Sequence, residues 1–219
     1  MVSMAHCYSV SLITKDRKCL VIGGGAVAER KVLPLLESGA RVEIISLKIT
    51  SNLKKLVQKG LITCRQGDYD PANLTGAFLV IGATSSKDVN RRIAVDCFER
   101  NILVNIVDDP EWCSFFVPAV VKRGSFQIAV STDGKSPLLA RKVKEALNKK
   151  YGPDYGKLTD LLGEIRLKLL GAAENKDKSR VVLDNLLDDD LLGMVDRGQW
   201  NQARERIIND VYRGGRRQP

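Results

Sequence analysis

Residues 18–31 read KCLVIGGGAVAERK, and this stretch decides the fold of the first half of the chain. The apolar run at 18–22 is typical of a buried strand, and the three glycines after it predict a tight turn. Residues 26–38 then have the apolar spacing of a helix that stops at Gly39. A strand, a glycine turn and a helix in this order predict the first unit of a Rossmann-type α/β domain.

The glycine turn matches the pattern G-x-G-x-x-A in the context that this pattern requires. Gly23 allows a sharp turn, Gly25 lets the backbone approach a pyrophosphate, and Ala28 lets the helix pack closely on the strand. The helix N-terminus offers unpaired N–H groups and a positive dipole to phosphate. The turn therefore predicts a dinucleotide site, and the alternative is a glycine turn that binds no ligand.

Strands and helices continue to alternate as far as Val107. Four more strands are predicted at 41–46, 61–65, 78–82 and 103–107, with helices at 51–59 and 87–100. This order predicts a parallel sheet with right-handed crossovers.

The pattern changes after residues 108–110. Two strand-like segments at 114–122 and 125–131 are joined by a turn at 123–124, and Ser136-Pro137 begins a helix that runs to about Lys150. We interpret this block as a small α+β element that pairs subunits. Helical patterns follow at 154–170, 179–195 and 199–213, and we expect disorder at 214–219. The predicted domains are 1–113 (nucleotide binding), 114–150 (dimerisation) and 151–219 (helical).

The composition narrows the class of protein. The chain has 35 Lys and Arg against 26 Asp and Glu, a net charge of +9, which favours anionic partners or a basic surface without a partner. Its only histidine, His6, excludes a histidine-rich metal site, and five scattered cysteines indicate reduced thiols. Apolar runs are too short to span a membrane, and the N-terminus lacks a signal-peptide pattern, so we expect a cytoplasmic protein.

The identity of the nucleotide is left open by the second strand. It ends in Ile45-Ser46-Leu47-Lys48, without the acidic residue that usually binds the adenosine ribose. Ser46 and the backbone at Leu47 and Lys48 could take that role. The Lys48 side chain could also meet a 2′-phosphate or point into solvent, so NAD and NADP both remain possible.

Thr84 follows the fourth strand at its carboxyl end, where open α/β sheets bind ligands. It is therefore a candidate contact to the nicotinamide half of a cofactor. The competing interpretation is that this loop only caps the next helix, through Ser85 or Ser86.

Four segments together resemble the precorrin-2 dehydrogenase/sirohydrochlorin ferrochelatase family, which makes sirohaem. They are CLVIGGGAVAERK (19–31), GATSSKDVN (82–90), NIVDDP (105–110) with Ser114-Phe115, and AVSTDGKSPLLAR (129–141), and the similarity covers about residues 8–150. The resemblance implies a homodimer that uses NAD to oxidise precorrin-2. It also implies that NAD contacts Ala26, Val27, Leu47 and Lys48.

Asp108 is the candidate catalytic residue, since the resemblance places the aspartate of dehydrogenation, and of metal insertion in bifunctional members, at this position. The chemistry of the residue agrees. Asp108 follows the fifth strand at the same edge as Gly25 and Thr84, where a carboxylate could accept a proton as a general base. The alternative is an exposed turn aspartate. Ferrochelatase activity stays open.

Basic groups are candidate partners for the carboxylates of such a substrate. Arg141, with Ser131, is the candidate substrate contact, although Arg141 could equally be a surface or interface residue. Two other functions compete: a non-catalytic nucleotide-sensing module, and nucleic-acid binding by the basic tail. The tail has acids among its arginines and few aromatic residues, which argues against nucleic acid.

Overall fold

The structure is a computed structural model, and it describes residues 7–172 and 185–214. The chain divides into two compact units, of which the first ends at Val117 and the second begins at Pro118. The domain boundaries predicted from the sequence, after residues 113 and 150, stay predictions.

The first unit contains a parallel sheet of five strands in the order β3-β2-β1-β4-β5. The strands are β1 (Lys18–Ile22), β2 (Arg41–Ile45), β3 (Thr63–Arg65), β4 (Leu79–Gly82) and β5 (Leu103–Ile106). Three helices connect them, namely α1 (Ala26–Glu37), α2 (Ser51–Gln58) and α3 (Lys87–Glu99). The predicted Rossmann-type sheet is therefore confirmed. From β1 the chain adds β2 and β3 on one side of the sheet and then β4 and β5 on the other. Such sheets bind ligands at this change of strand order, between β1 and β4.

Both faces of this sheet are buried, because successive side chains of a strand point to opposite faces. In β1, Cys19 and Val21 pack into one apolar cluster, and Leu20 and Ile22 pack into the other. None of these four residues is more than 2% exposed. A strand that is apolar on both sides must lie in the centre of a covered sheet, which is the position that β1 has.

The second unit begins with an antiparallel hairpin of β6 (Ala119–Arg123) and β7 (Phe126–Val130). The helices whose bounds fall within the described residues are α4 (Pro137–Lys150), α5 (Asp154–Ala172), α6 (Asp189–Asp196) and α7 (Trp200–Gly214). The predicted N-cap of α4 is confirmed, since the Ser136 hydroxyl accepts a hydrogen bond from the backbone N–H of Leu139 at 3.3 Å. The predicted helix at 179–195 falls partly, and the predicted disordered segment mostly, outside the described residues.

The strand predicted at 114–122 is wrong at its beginning. Ser114 lies beside β5 instead, where its N–H donates to the carbonyl of Val104 at 2.8 Å and its hydroxyl accepts from the N–H of Val104. Residues 114–117 thus belong to the first unit, and the hairpin strand begins only after Pro118. The hairpin turn is at 124–125, with Gly124 at a φ of +57°, and not at 123–124.

The cysteines are free thiols, as the sequence predicted, and Cys19 and Cys97 are buried. Burial raises the pKa of Cys19 to about 11. Within residues 7–172 and 185–214, no helix is both long and apolar enough to cross a bilayer. The same described ranges hold no cluster of three or more His, Cys, Asp or Glu side chains that could bind a metal.

Candidate functional site

The turn from β1 to α1 has a backbone that requires glycine at its first position. Gly23 has a φ of +118°, in the region that side chains rarely allow. A Cβ atom there would lie 2.3 Å from the carbonyl oxygen of Ala83, in the loop after β4. The two loops at the switch point therefore touch through Gly23, and no larger residue fits between them.

Gly24 is also required, and the motif did not single it out. A Cβ atom at Gly24 would lie 2.1 Å from the carbonyl oxygen of Lys48, in the loop after β2. The Gly24 carbonyl accepts a hydrogen bond from the N–H of Thr50 at 3.0 Å. Any residue is allowed at position 24 of the pattern G-x-G-x-x-A. In the sequence, only the run of three glycines indicated that the turn approaches the loop after β2 so closely.

Gly25 is different, because a Cβ atom there would meet nothing within 4 Å. It is the N-cap of α1, with a φ of −82°, and no side chain caps the helix at this end. The first N–H groups of α1, in the turn that begins with Ala26 and Val27, thus adjoin open space, as a phosphate site at a helix N-terminus requires. Ala28 is fully buried, which permits the close packing expected of it.

The loop after β2 lies against this turn. The Ser46 hydroxyl donates to the carbonyl of Lys48 at 2.8 Å, and Gln66 Nε2 donates to the carbonyl of Leu47 at 3.4 Å. The side chains of Leu47 and Lys48 are exposed. Ser46 therefore fixes the conformation of the loop, while Leu47 and Lys48 present their side chains to solvent beside the glycine turn.

Glu29 joins the first turn of α1 to the start of α2, a contact that the sequence did not reveal. Its carboxylate accepts hydrogen bonds from the Thr50 hydroxyl at 2.5 Å and from Asn52 Nδ2 at 2.8 Å. These two bonds hold the pKa of Glu29 below its usual range. The partners are more than twenty residues apart in the chain, so no local pattern could have identified the contact.

Thr84 is held by Asn90, which the sequence reasoning also missed. The N–H and the hydroxyl of Thr84 both donate to Asn90 Oδ1, at 3.2 and 2.7 Å, and Asn90 Nδ2 donates to the Thr84 carbonyl at 3.2 Å. Asn90 is only 7% exposed. Ser86, and not Ser85, caps α3, since its hydroxyl accepts from the N–H of Val89 at 3.3 Å. The Thr84 hydroxyl therefore already has an acceptor inside its own loop.

Asp108 is exposed and follows β5 in a left-handed conformation, with a φ of +59°. Aspartate and asparagine tolerate this conformation better than other residues with a side chain. The adjacent backbone is fixed, because the N–H of Val107 donates to the carbonyl of Gly82 at 2.9 Å. The N–H of Ile106 donates to the Sγ atom of Cys113 at 3.2 Å. The aspartate thus stands on a rigid edge of the sheet.

Asp108 forms part of the wall of a cavity of about 430 Å³. Lys31 and Arg30 of α1 line the same cavity, together with apolar side chains that include Leu35 and Phe115. Burial, with the neighbouring charge of Arg30, lowers the pKa of Lys31, while Asp108 and Cys113 act in the opposite direction. A carboxylate and two cations therefore share one largely apolar cavity of the first unit.

Ser131 and Arg141, the predicted substrate contacts, lie in the second unit. Arg141 is on the exposed side of α4, where its Nε atom lies 3.7 Å from a carboxylate oxygen of Glu145. The Ser131 hydroxyl accepts a hydrogen bond from the N–H of Asp133 at 3.3 Å. The ion pair of Arg141 is exposed and contributes little, so Arg141 could still bind another group. The Ser131 hydroxyl only accepts in this contact, so it can still donate a hydrogen bond.

Comparison with known proteins identifies related sequences for both units. Residues 10–119 match the protein family described as "Putative NAD(P)-binding", and residues 123–150 match "Sirohaem biosynthesis protein central". The siroheme synthase of Thioalkalivibrio sulfidiphilus (strain HL-EbGR7) is 36% identical over 207 residues, which are 94% of this chain and 42% of that protein. The siroheme synthase of Methylobacillus flagellatus is 36% identical over 193 residues, 88% and 41% of the two chains.

Among solved structures, one described as "SirC, precorrin-2 dehydrogenase" matches with a TM-score of 0.74 and 28% sequence identity. The match covers 91% of this chain and 100% of that one. By contrast, the chain spans about two-fifths of the length of the curated siroheme synthases that it matches.

Proposed function

Because the chain belongs to the family described as "Putative NAD(P)-binding" and is similar to siroheme synthases and to a precorrin-2 dehydrogenase, we propose that it oxidises precorrin-2 to sirohydrochlorin with NAD. The observation that carries this proposal is the position of Asp108. It stands at the edge of the sheet where the chain also forms the open, uncapped N-terminus of α1. A nucleotide site and a carboxylate at one edge of a sheet are what a dehydrogenase needs.

The reaction removes a hydride and a proton from the macrocycle, and bound NAD supplies the acceptor for the hydride. The open space at Gly25 and the uncapped helix suit the pyrophosphate, and the loop with Ser46, Leu47 and Lys48 suits the adenosine end. Asp108 accepts the proton as general base. Thr84 adjoins the nicotinamide end, in a loop that Asn90 fixes through the N–H, the hydroxyl and the carbonyl of Thr84.

The choice of NAD over NADP is part of this proposal. Lys48 is the only charged side chain of residues 46–48, and it is exposed. A firm 2′-phosphate site needs cations that are held in place, and a single exposed lysine supplies only a weak one. We therefore expect a lower KM for NAD than for NADP in steady-state assays of the oxidation.

We also propose that the protein is a cytoplasmic homodimer that pairs through the second unit. Three large apolar side chains of α4, Leu138, Leu139 and Val143, are between 37% and 57% exposed. Exposed apolar side chains grouped on one element are typical of an interaction surface. Light scattering after gel filtration should give twice the mass of the chain. Arg141 of α4 would then lie near the partner, and we propose Ser131 and Arg141 as substrate contacts.

The decisive experiment is an anaerobic assay with purified protein, precorrin-2 and either NAD or NADP. Absorbance of the macrocycle and of the reduced nicotinamide should rise together, and Asp108→Asn should slow the reaction by ~10²–10⁴-fold. Glu111→Gln, on the same segment, is the matched control and should keep the wild-type rate. Binding of NAD without any turnover would refute the proposal in favour of a nucleotide-sensing module.

A further inference from the structure

We propose that Lys31 binds a carboxylate side chain of the tetrapyrrole, so that the cavity beneath Asp108 receives one edge of the macrocycle. This inference rests on the proposed function, since it takes the carboxylated macrocycle as the ligand. It adds a substrate-binding residue that neither the glycine motif nor the segment around Asp108 indicated.

The first argument is the pattern of residues on α1. Five residues of this helix line the cavity, with the spacing i, i+3, i+4, i+7 and i+8 that defines one helix face: Val27, Arg30, Lys31, Pro34 and Leu35. The face of α1 that packs on the core is a different one, which carries the buried Ala28 and Val32. On the face that lines the cavity, two adjacent cations stand among apolar residues, and this arrangement suits an anionic group attached to an apolar body.

The second argument is the state of the Lys31 ammonium group. Lys31 is half-buried, and no carboxylate within the described ranges forms an ion pair with it. Burying an ammonium group is costly unless it is paired. The ionisable groups that face it are Arg30 on its own helix, and Asp108 and Cys113 in the segment after β5. An incoming carboxylate would supply the missing close partner.

The third argument is the chemistry of the cavity wall. Apart from Arg30, Lys31 and Asp108, the lining is apolar and includes Ile81 and Phe115. A volume of about 430 Å³ is within the usual range for sites that bind small molecules. Apolar walls with one or two fixed cations suit a flat apolar ring that carries acidic arms. They suit a free inorganic anion poorly.

This arrangement predicts opposite effects of substitutions at Lys31 and at Asp108 on the affinity for the macrocycle. Lys31→Met should weaken binding of sirohydrochlorin by ~10–100-fold, because a hydrogen bond to a charged group is lost. Asp108→Asn should leave that affinity equal or higher, since it removes a charge of the same sign as the ligand, although it slows oxidation. Lys31→Arg should restore most of the affinity, because it restores the cation.

The experiment is an anaerobic titration of the full chain with sirohydrochlorin, followed by macrocycle absorbance between pH 6 and 10. Burial lowers the pKa of Lys31 and a bound carboxylate would raise it, so wild-type affinity should fall as the pH rises through that lowered pKa. Lys31→Met should lack this dependence. Lys54→Met, which removes an exposed lysine of α2 outside the cavity, is the matched control and should bind like wild type.

Each outcome decides one of the two claims. Wild-type affinity in Lys31→Met, with sirohydrochlorin bound normally, would overturn the role of Lys31 and leave the proposed function intact. Failure of the wild-type protein to bind sirohydrochlorin or to oxidise precorrin-2 would overturn the proposed function instead. If Lys31→Met unfolds at a lower temperature, Lys31→Arg decides: an affinity within threefold of wild type supports the proposal, and a loss as large as that of Lys31→Met refutes it.

Discussion

Alanine would clash with its surroundings at Gly24 but would have open space at Gly25. Substituting each glycine in turn therefore separates the contribution of the cofactor turn to protein stability from its contribution to cofactor binding. At Gly24 the new Cβ atom would lie 2.1 Å from the Lys48 carbonyl oxygen and 2.8 Å from both the Ser46 hydroxyl and the Ile49 Cγ2 atom. At Gly25 it would meet nothing within 4 Å. We expect Gly24→Ala to destabilise the protein and Gly25→Ala to leave it folded but unable to hold a pyrophosphate.

The magnitudes follow from these contacts. A carbonyl oxygen 2.1 Å away is backbone and must move by about an ångström, so Gly24→Ala should cost ~1–3 kcal/mol of unfolding free energy. At ~2–4 °C per kcal/mol for a chain of this size, Tm should fall by ~2–12 °C. Gly25 has a φ of −82°, which alanine adopts readily, so restriction of the unfolded chain should stabilise Gly25→Ala by ~0.4–1 kcal/mol. Alanine is a poorer N-cap than glycine, which offsets this gain, so Tm should stay close to that of the wild type.

The assay combines calorimetric unfolding without ligand and titration of NAD into the folded protein. Gly25→Ala should keep a Tm close to that of the wild type and lose NAD affinity by ~10-fold or more, because its methyl group occupies the approach to the helix N-terminus. Gly24→Ala should lose both stability and affinity. Wild-type NAD affinity in Gly25→Ala would refute the placement of the pyrophosphate at this turn. An unchanged Tm in Gly24→Ala would refute the packing argument.

Three further predictions concern single side chains. Asn90→Ala should lower the free energy of urea unfolding by ~1–3 kcal/mol and raise the KM for NAD, because the half-buried N–H and carbonyl of Thr84 lose the partner that fixes this loop. Equal KM values would limit Asn90 to a structural role. Asp108→Asn and Asp108→Gly should unfold close to wild type, whereas Asp108→Ala should be ~1 kcal/mol less stable at a φ of +59°. All three should oxidise precorrin-2 at least ~10²-fold more slowly, and a rate close to wild type in any of them would rule out a general base at this position. Glu29 has a lowered pKa, so its contribution to stability is present above its unfolded-state pKa and is lost as the pH falls through its folded-state pKa. Between pH 5 and 3, the urea midpoint should therefore fall less steeply in Glu29→Gln than in the wild type. The same dependence of the midpoint on pH in both proteins would contradict this.

Local patterns in the sequence determined the architecture of the first unit. Each strand or helix of this unit is indicated by a pattern that spans no more than about fifteen residues. These patterns are the apolar runs, the glycine turn and the helix caps. The strands of the sheet and the helix that begins at Pro137 were therefore predicted correctly, with shifts of one or two residues at their ends. The pattern failed at 114–118, because a strand-like segment crosses the boundary between the two units there, and only its contact with β5 reveals this.

The sequence also indicated the two groups on which the proposed function depends, the glycine turn and Asp108, because each directly follows a predicted strand. Only the tertiary structure decided what surrounds them. The approach of Gly24 to Lys48, the bond from Thr50 to Glu29, and the cavity shared by Lys31 and Asp108 all join segments that are distant in the chain. Such contacts depend on how the helices pack on the sheet, and no periodicity along the chain encodes them.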